Sequence, residues 1–256
     1  MISIGLIIYG FSALITQIGQ ICVIVGIILG IIYVLFELRQ ESPVFDVRLF
    51  KIKTFASYNV AGMFGFFAAM IFTTLINYYF QYVKGFGPEL TGFILIVSPV
   101  VMSITAPIAG RLSDRIHPQK LAAIGMAIAT ISMILLSFLD QNTPMYIIII
   151  AMALQALGTG LFSSPNMNAI VSSVDEKDAA FASAGQLTTR AIGQAMSLGL
   201  LTVVFSWIMG DLVFSLGYAS LIVRAIQIIF IVCVFTNILS IVASFIGIRA
   251  DHKITR

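Results

Sequence analysis

Residues 90–139 read LTGFILIVSPVVMSITAPIAGRLSDRIHPQKLAAIGMAIATISMILLSFL, two long apolar runs on either side of a short charged loop. A run of about 20 apolar residues is long enough to cross the hydrocarbon core of a bilayer as an α-helix. The loop over residues 110–120 carries five ionisable side chains, which are Arg111, Asp114, Arg115, His117 and Lys120. This stretch therefore predicts two antiparallel membrane-spanning helices joined by a charged turn.

The composition of the whole chain indicates the same class of protein. Hydrophobic residues make up 59% of the chain and charged residues 10%, whereas soluble domains carry about 25% charged residues. The mean hydropathy is +1.05, which is too apolar for a surface in water. We therefore expect an all-α polytopic membrane protein whose main partner is the lipid bilayer.

Eight apolar segments are candidates for membrane-spanning helices, and the first of them is shorter than the others. They lie near residues 2–17, 20–37, 55–82, 90–109, 120–139, 144–171, 185–209 and 220–248. Sequences typical of turns separate several of these segments. They are Gly85-Phe86-Gly87-Pro88, Asn142-Thr143-Pro144 and Gly210-Asp211.

The positions of Lys and Arg predict the orientation in the membrane, because cytoplasmic loops are enriched in these residues. Only Lys84 and Arg224 fall on one side, and the other twelve of the 14 basic residues fall on the opposite side. We therefore expect Met1, the loop at 110–120 and the C-terminus to be cytoplasmic in a multi-pass protein of the plasma membrane. On this interpretation, the charges of the loop have no role other than fixing the orientation of the chain in the membrane.

The order of residues in the loop supports a second interpretation. Gly110 is expected to end a helix in a tight turn, and Asp114 to accept N–H bonds at the N-terminus of a neighbouring helix. The order Gly110-x-Leu112-x-Asp114-Arg115 resembles the signature loop of the major facilitator superfamily, roughly G-x-L-x-D-R-x-G-R-R. That resemblance implies that Gly110, Asp114 and Arg115 form part of a cytoplasmic gate. The chain departs from the family's Gly and basic pair at His117, Pro118 and Gln119.

Two further stretches are similar to the fourteen-span drug:proton antiporter branch of that superfamily. One is a "DLRLF…F" linker, matched by Asp46, Arg48, Leu49, Phe50 and Phe55. The other is a helix written "ASGLLNTxRQLGGALG", matched by Ala182, Ser183, Thr188, Arg190, Gly193 and Ala195. The resemblance implies two extra linker helices over 1–38, a cytoplasmic linker over 39–54, a C-terminal six-helix half over 55–250 and a cytoplasmic tail over 251–256. On this template the N-terminal half lies outside the chain.

The resemblance also implies where a substrate would bind, since this superfamily binds substrates near the bilayer midplane between its two halves. The first, second, fourth and fifth helices of this half would line the cavity. Polar and small residues recur at helical spacing in the sixth and seventh spans, and such stripes face either a cavity or a neighbouring helix. The candidate cavity residues are Met63, Phe66, Asn77, Gln155, Thr159, Phe162, Gln186, Arg190 and Gln194.

These features predict a secondary transporter that exports small amphipathic compounds or drugs by alternating access. Its partners would be a small-molecule substrate and either a separately made N-terminal half or a second copy of the chain, and not nucleic acid. Two alternatives are a subunit of a split transporter and a non-transporting remnant of a truncated gene. A channel is a further possibility in principle, although no charged ring lines a span.

Enzymatic activity is not expected, because H-E-x-x-H and phosphate-loop motifs are absent from the sequence. No catalytic residue, metal site or cofactor is therefore predicted. Cys22 and Cys233 lie in apolar runs and are expected to act as small buried side chains. No Asp or Glu lies deep in a predicted span, so the sequence itself shows no group for proton coupling.

Overall fold

The computed structural model describes residues 2–14, 16–37, 47–210 and 216–254, and every regular element in these ranges is helical. Three 3₁₀ turns (Val47–Lys51, Glu176–Asp178 and Leu216–Tyr218) and a π-helical turn (Tyr79–Val83) accompany the α-helices. The α-helices of the described ranges are α1 (Ile2–Ser12), α2 (Gln17–Glu37), α3 (Lys53–Tyr78), α4 (Pro88–Leu95), α5 (Val97–Ser113), α6 (Pro118–Ser137), α7 (Met145–Ser172), α8 (Ala179–Met209) and α9 (Ala219–Ile254).

Seven helical segments of the described chain are long and apolar enough to cross a membrane. They correspond to α2, α3 with its π-helical turn, α4 with α5, α6, α7, α8 and α9. The predicted first span contains α1, whose 11 residues extend about 16 Å, roughly half of a 30 Å hydrocarbon core. The predicted all-α polytopic class is confirmed.

The span predicted over residues 90–109 is made of two helices, α4 and α5, that meet at Ile96. Pro99 explains the break, because a proline has no N–H to donate and its ring clashes with the carbonyl four residues earlier. That carbonyl belongs to Leu95, the last residue of α4. Pro107 and Pro165 lie inside α5 and α7, which continue past them.

Helix α3 lies at the centre of the bundle, where it packs against α7, α8 and α9. Helix α6 packs between α7 and α9, α5 packs on α7, and the α1–α2 hairpin contacts α8 through α1. Two glycines bring α6 and α7 close together: a methyl group on Gly158 would lie 2.6 Å from the Gly125 carbonyl oxygen. The α6–α7 pair thus depends on small residues, as is common between helices in membranes.

The bundle has two ends, and each is named here after a residue in one of its loops: the Asp114 end and the Lys84 end. At the Lys84 end, the Lys84 ammonium donates to the backbone carbonyls of Gln141 (2.7 Å) and Thr143 (3.0 Å). The Tyr79 hydroxyl donates to the Asp140 carbonyl at 2.7 Å. These bonds tie the loop after α3 to the α6–α7 turn.

Large apolar side chains are exposed along α2 and the outer face of α5. On α2 they include Ile18, Ile24 and Ile32, and on α5 they include Val100, Ile104 and Ile108. Lipid chains satisfy such a surface, because it presents no polar group that needs a hydrogen bond.

Two predicted boundaries can be compared with the structure. Helix α9 continues to Ile254, so the predicted tail over 251–256 is helical for its first four residues. In the predicted linker over 39–54, residues 39–46 lie outside the described ranges, and the rest includes a 3₁₀ turn and the start of α3.

Candidate functional site

A cavity of about 320 Å³ opens in the middle of the bundle, between α3, α4–α5, α7 and α8. Its volume lies at the lower end of the range of small-molecule sites, which runs from about 300 to 1,000 Å³. Five of the predicted cavity residues line it: Phe66, Gln155, Thr159, Arg190 and Gln194. The four contributing helices are the ones that the sequence resemblance implies for a substrate cavity.

Arg190 is the one charged residue among the described residues that line the cavity. Its guanidinium carbon lies 4.4 Å from the centroid of the Phe66 ring, the geometry of a cation–π contact. Within the part of the chain that the structure describes, the guanidinium makes no hydrogen bond or ion pair with a protein group. The charge therefore stays at the cavity wall instead of extending to the end of the bundle.

Gln155 places an amide at the same wall, although its side chain is only 5% exposed. Its Nε2 donates to the Thr159 hydroxyl at 3.4 Å, a long hydrogen bond between neighbouring turns of α7. Its Oε1 has no hydrogen-bond partner in the described structure. A buried amide oxygen without a partner costs about 1–3 kcal/mol, and this oxygen exposes almost no surface to the cavity.

The other four predicted cavity residues are not among those that line the cavity. Phe162 is 1% exposed and packs edge-on behind Phe66, with ring centroids 5.7 Å apart. The backbone of Met63 lies where α3 crosses α8 at Gly193. Gln186 is buried, and its backbone carbonyl accepts a bond from the Thr189 hydroxyl. Asn77 accepts a bond from Gln81 at 2.8 Å, nearer the Lys84 end.

Helix α5 and its junction with α4 contribute lining residues that the sequence analysis did not select. Ser98, Pro99 and Met102 belong to this group. Ser98 and Met102 are one helical turn apart, and Pro99 breaks the helix nearby. A polar residue beside a proline in an apolar span could therefore have indicated these lining residues. The sequence analysis considered polar stripes only in the sixth and seventh spans.

The structure corrects two expectations for the signature loop. Gly110 does not end a helix, because α5 continues to Ser113, whose hydroxyl donates to the Gly110 carbonyl. Asp114 does not accept N–H bonds at a helix N-terminus: it is the C-cap of α5, it is exposed, and its side chain makes no hydrogen bond or ion pair with the described residues. Arg115 is exposed beside it. The turn of four residues between α5 and α6 places a later residue at the start of α6 instead.

That later residue is His117, which the sequence analysis recorded only as a departure from the family pattern. It is the N-cap of α6, and its Nδ1 accepts a bond from the Gln119 backbone N–H at 3.3 Å. Pro118 occupies the first helical position, where a missing N–H is harmless. Since Nδ1 accepts, Nε2 carries the ring proton in the neutral form, and it lies 3.3 Å from Asp251 at the end of α9.

Beneath this cap lies a buried polar cluster that joins α6, α7 and α9. Gln119 is fully buried, and its Nε2 donates to Asn166 Oδ1 at 3.2 Å and to Ser244 Oγ at 2.8 Å. Farther along α9, the Ser240 hydroxyl donates to the Ala61 carbonyl of α3 at 2.7 Å. These bonds connect four helices near the Asp114 end, so part of the polar stripe on α7 serves helix packing.

The described ranges contain no group of three or more His, Cys, Asp or Glu side chains that could hold a metal ion. Neither cysteine is paired: Cys22 is half-buried and Cys233 is buried. The chemistry of the cavity therefore comes from one guanidinium, amides, hydroxyls and apolar surface.

Comparison with known proteins identifies a family and relatives that match most of the chain. The family model described as Major Facilitator Superfamily matches residues 1–197. The riboflavin transporter RibZ of Clostridioides difficile (strain 630) is 29% identical over 191 residues, which cover 73% of this chain and 42% of RibZ. The multidrug efflux pump LfrA of Mycolicibacterium smegmatis is 25% identical over 182 residues, which cover 71% of this chain and 36% of LfrA.

A solved structure shares the fold. It is a bacterial homologue of the human lysosomal transporter Spinster, in an inward-facing and occupied conformation, and it superposes with a TM-score of 0.64 at 16% sequence identity. The superposition covers 91% of this chain and 56% of that protein. The chain thus spans roughly two fifths of the curated relatives and about half of this structural neighbour.

Proposed function

Since the chain belongs to the major facilitator superfamily, we propose that it forms the C-terminal half of a secondary transporter of the fourteen-span drug:proton antiporter branch. In this proposal it exports small amphipathic compounds by alternating access. The partner half is either a separately made N-terminal half or a second copy of the chain. The observation that carries the proposal is the cavity at mid-depth of the bundle, lined by α3, α4–α5, α7 and α8.

The position and lining of this cavity suit alternating access. A transporter exposes one site to each side of the membrane in turn, so the site lies near the bilayer midplane. The lining is mostly apolar, with polar groups at Gln155, Thr159, Arg190 and Gln194. Apolar and methionine surfaces accommodate varied apolar bodies, and a few polar groups orient them. This combination favours amphipathic substrates over small polar ions.

The names of the relatives support the substrate class and the direction. One relative is a riboflavin transporter and another is a multidrug efflux pump. The word multidrug in the pump's name supports substrates of varied structure, and the word efflux supports export.

The exposed residues at the Asp114 end support a gate against a second half. Asp114 and Arg115 are both exposed, and the carboxylate of Asp114 has no partner within the described ranges. A helix N-terminus of the other half would satisfy this carboxylate. The excess of Lys and Arg supports the proposal that this end, with Met1 and the C-terminus, faces the cytoplasm in the plasma membrane.

An efflux assay tests the proposal. Cells that lack their own drug pumps would express the chain alone, the chain with the N-terminal six helices of RibZ, and the six helices alone. Efflux of a cationic dye (ethidium) and of an anionic dye (fluorescein) would be followed by fluorescence. We expect efflux to require the chain and to fall when Asp114 is replaced by Asn. Asp175→Asn is the matched control, because Asp175 is exposed at the same end and makes only a long ion pair of 3.7 Å with Lys177.

The outcomes of this assay distinguish between the three forms that the protein could take. Efflux by the chain alone would indicate self-association. Efflux only with the N-terminal helices would indicate a split transporter. An absence of efflux in every combination, with all chains present in the membrane, would contradict the proposal and favour a non-transporting remnant.

A further inference from the structure

The mid-depth cavity contains an unbalanced positive charge. Arg190 supplies the cavity's one charged group, and the described lining residues include no Asp or Glu. An ionised side chain at membrane depth is costly unless it is paired or hydrated. The contact with the Phe66 ring at 4.4 Å compensates for part of that cost.

The ring contact leaves the hydrogen-bonding capacity of the guanidinium unused. Arginine carries five N–H donors in a planar fork that matches both oxygens of a carboxylate. None of these donors reaches an acceptor in the part of the chain that the structure describes. Contact with an aromatic face also limits the movement of the guanidinium, which lowers the entropy cost of binding an anion.

The groups around Arg190 favour a ligand with one charged end and one apolar end. Gln155, Thr159 and Gln194 supply polar groups to the wall of the same cavity, whereas Ala69, Met70 and Leu95 supply apolar surface. About 320 Å³ is sufficient for a two-ring aromatic body but not for a peptide segment.

We propose that Arg190 makes this cavity selective for small aromatic anions, with the carboxylate of the ligand on the guanidinium and its ring system on the apolar wall. This proposal rests on the proposed transport function and names the charge of the substrate. The alternative is that Arg190 acts at an interface, where a carboxylate of a partner half would accept hydrogen bonds from the same guanidinium.

A binding measurement with matched probes tests the proposal on the full chain in lipid nanodiscs. The probes are tritiated 2-naphthoate, neutral 2-naphthamide and cationic 2-naphthylmethylammonium, which share one ring system. We expect 2-naphthoate to bind about tenfold tighter than 2-naphthamide, the scale of a charge-assisted hydrogen bond. We expect the cation to bind most weakly.

The variant Arg190→Gln should remove the preference for the anion and leave the affinity for 2-naphthamide nearly unchanged. Arg224→Gln is the control, because Arg224 is exposed on α9 and does not line the cavity. Equal affinities for the three probes in the unmodified chain, or a preference that survives in Arg190→Gln, would overturn the proposal. So would an absence of binding by a chain that remains helical and unfolds cooperatively.

A second measurement needs no substitution. Phenylglyoxal modifies accessible arginines, and mass spectrometry reports the rate at each position. We expect 2-naphthoate to slow modification of Arg190 but not of Arg224, and 2-naphthamide to slow neither. An Arg190 that is already unreactive without ligand would indicate a carboxylate from a second copy of the chain and would overturn the proposal. Selective binding without efflux of either dye, cationic or anionic, would overturn the transport function and leave the anion site standing.

Discussion

His117 Nε2 lies 3.3 Å from Asp251 Oδ2, so the loop between α5 and α6 is attached to the last turns of α9. The same imidazole caps α6 through Nδ1. One side chain therefore fixes the start of one helix and the end of another. The side chains of His117 and Asp251 are 24% and 44% exposed, so solvent weakens the contact between them.

Replacing His117 by Ala should destabilise the bundle, since it removes both the cap and the contact with Asp251. We expect a loss of about 1 kcal/mol from the cap and less than about 1 kcal/mol from the exposed pair. His117→Asn should recover most of the loss, because Asn is a favourable N-cap. Thermal unfolding in detergent measures each variant. Equal destabilisation by Ala and Asn would show that capping is not the cause.

Replacing Gly158 by Ala should disrupt the contact between α6 and α7. The added methyl group would lie 2.6 Å from backbone atoms of Gly125 and Ala129, which cannot move independently of their helix. We expect a destabilisation of about 1–3 kcal/mol, the usual cost of overpacking.

Gly92 on α4 provides the matched control for Gly158, because a methyl group there would meet no atom within 4 Å. Gly92→Ala should be neutral, or stabilising by less than about 1 kcal/mol through helix propensity. The contact would be refuted if both substitutions had the same effect on the thermal midpoint.

Replacing Gln119 by Met should weaken the buried polar cluster. The substitution keeps the side-chain volume roughly the same but removes the donor to Asn166 Oδ1 and Ser244 Oγ. Loss of a buried donor costs about 1–3 kcal/mol because the acceptors stay buried.

A double variant measures the coupling within this cluster. Gln119→Met combined with Asn166→Leu should cost less than the sum of the single changes, since each change removes a partner of the other. Ser137→Ala is the control, because the Ser137 hydroxyl donates only within its own helix, to the Ile134 carbonyl. Strict additivity would contradict the cluster.

Cysteine labelling in intact cells tests the orientation of the bundle. We expect Asn142→Cys, an exposed position at the Lys84 end, to react with an impermeant maleimide added outside. Asp114→Cys should react only in inside-out vesicles, because Lys and Arg are concentrated at its end. Both Cys22 and Cys233 would first be replaced by Ser or Ala. Labelling of position 114 from outside would reverse the orientation.

The helices could be predicted from the sequence because apolar runs of this length have few alternatives in a membrane. The runs around α6, α7 and α9 agree with the observed helices to within a few residues at most ends. The break at Ile96 could also have been predicted, since Pro99 removes the helical hydrogen bond to the Leu95 carbonyl. Hydropathy alone predicts one helix for this span because the apolar run is continuous.

The site could be predicted only in part, for a physical reason. Helical spacing selects a face of one helix but does not say whether that face meets a cavity or another helix. Gln155 and Arg190 face the cavity, whereas Phe162 and Gln186 on the same stripes are buried against neighbouring helices. The role of His117 could not be predicted from the sequence, because its partner Asp251 is 134 positions away in the sequence.

The account depends on the cavity being open to water while the outer face of α5 meets lipid. Thr159 lines the cavity, and Ile104 is 61% exposed at a similar depth on α5. In a background without native cysteines, membranes carrying Thr159→Cys or Ile104→Cys would be treated with a charged methanethiosulfonate reagent, which reacts with the ionised thiol. We expect rapid modification at position 159 and almost none at position 104, where lipid suppresses thiolate formation. Equal rates at the two positions, or faster modification at position 104, would contradict the account.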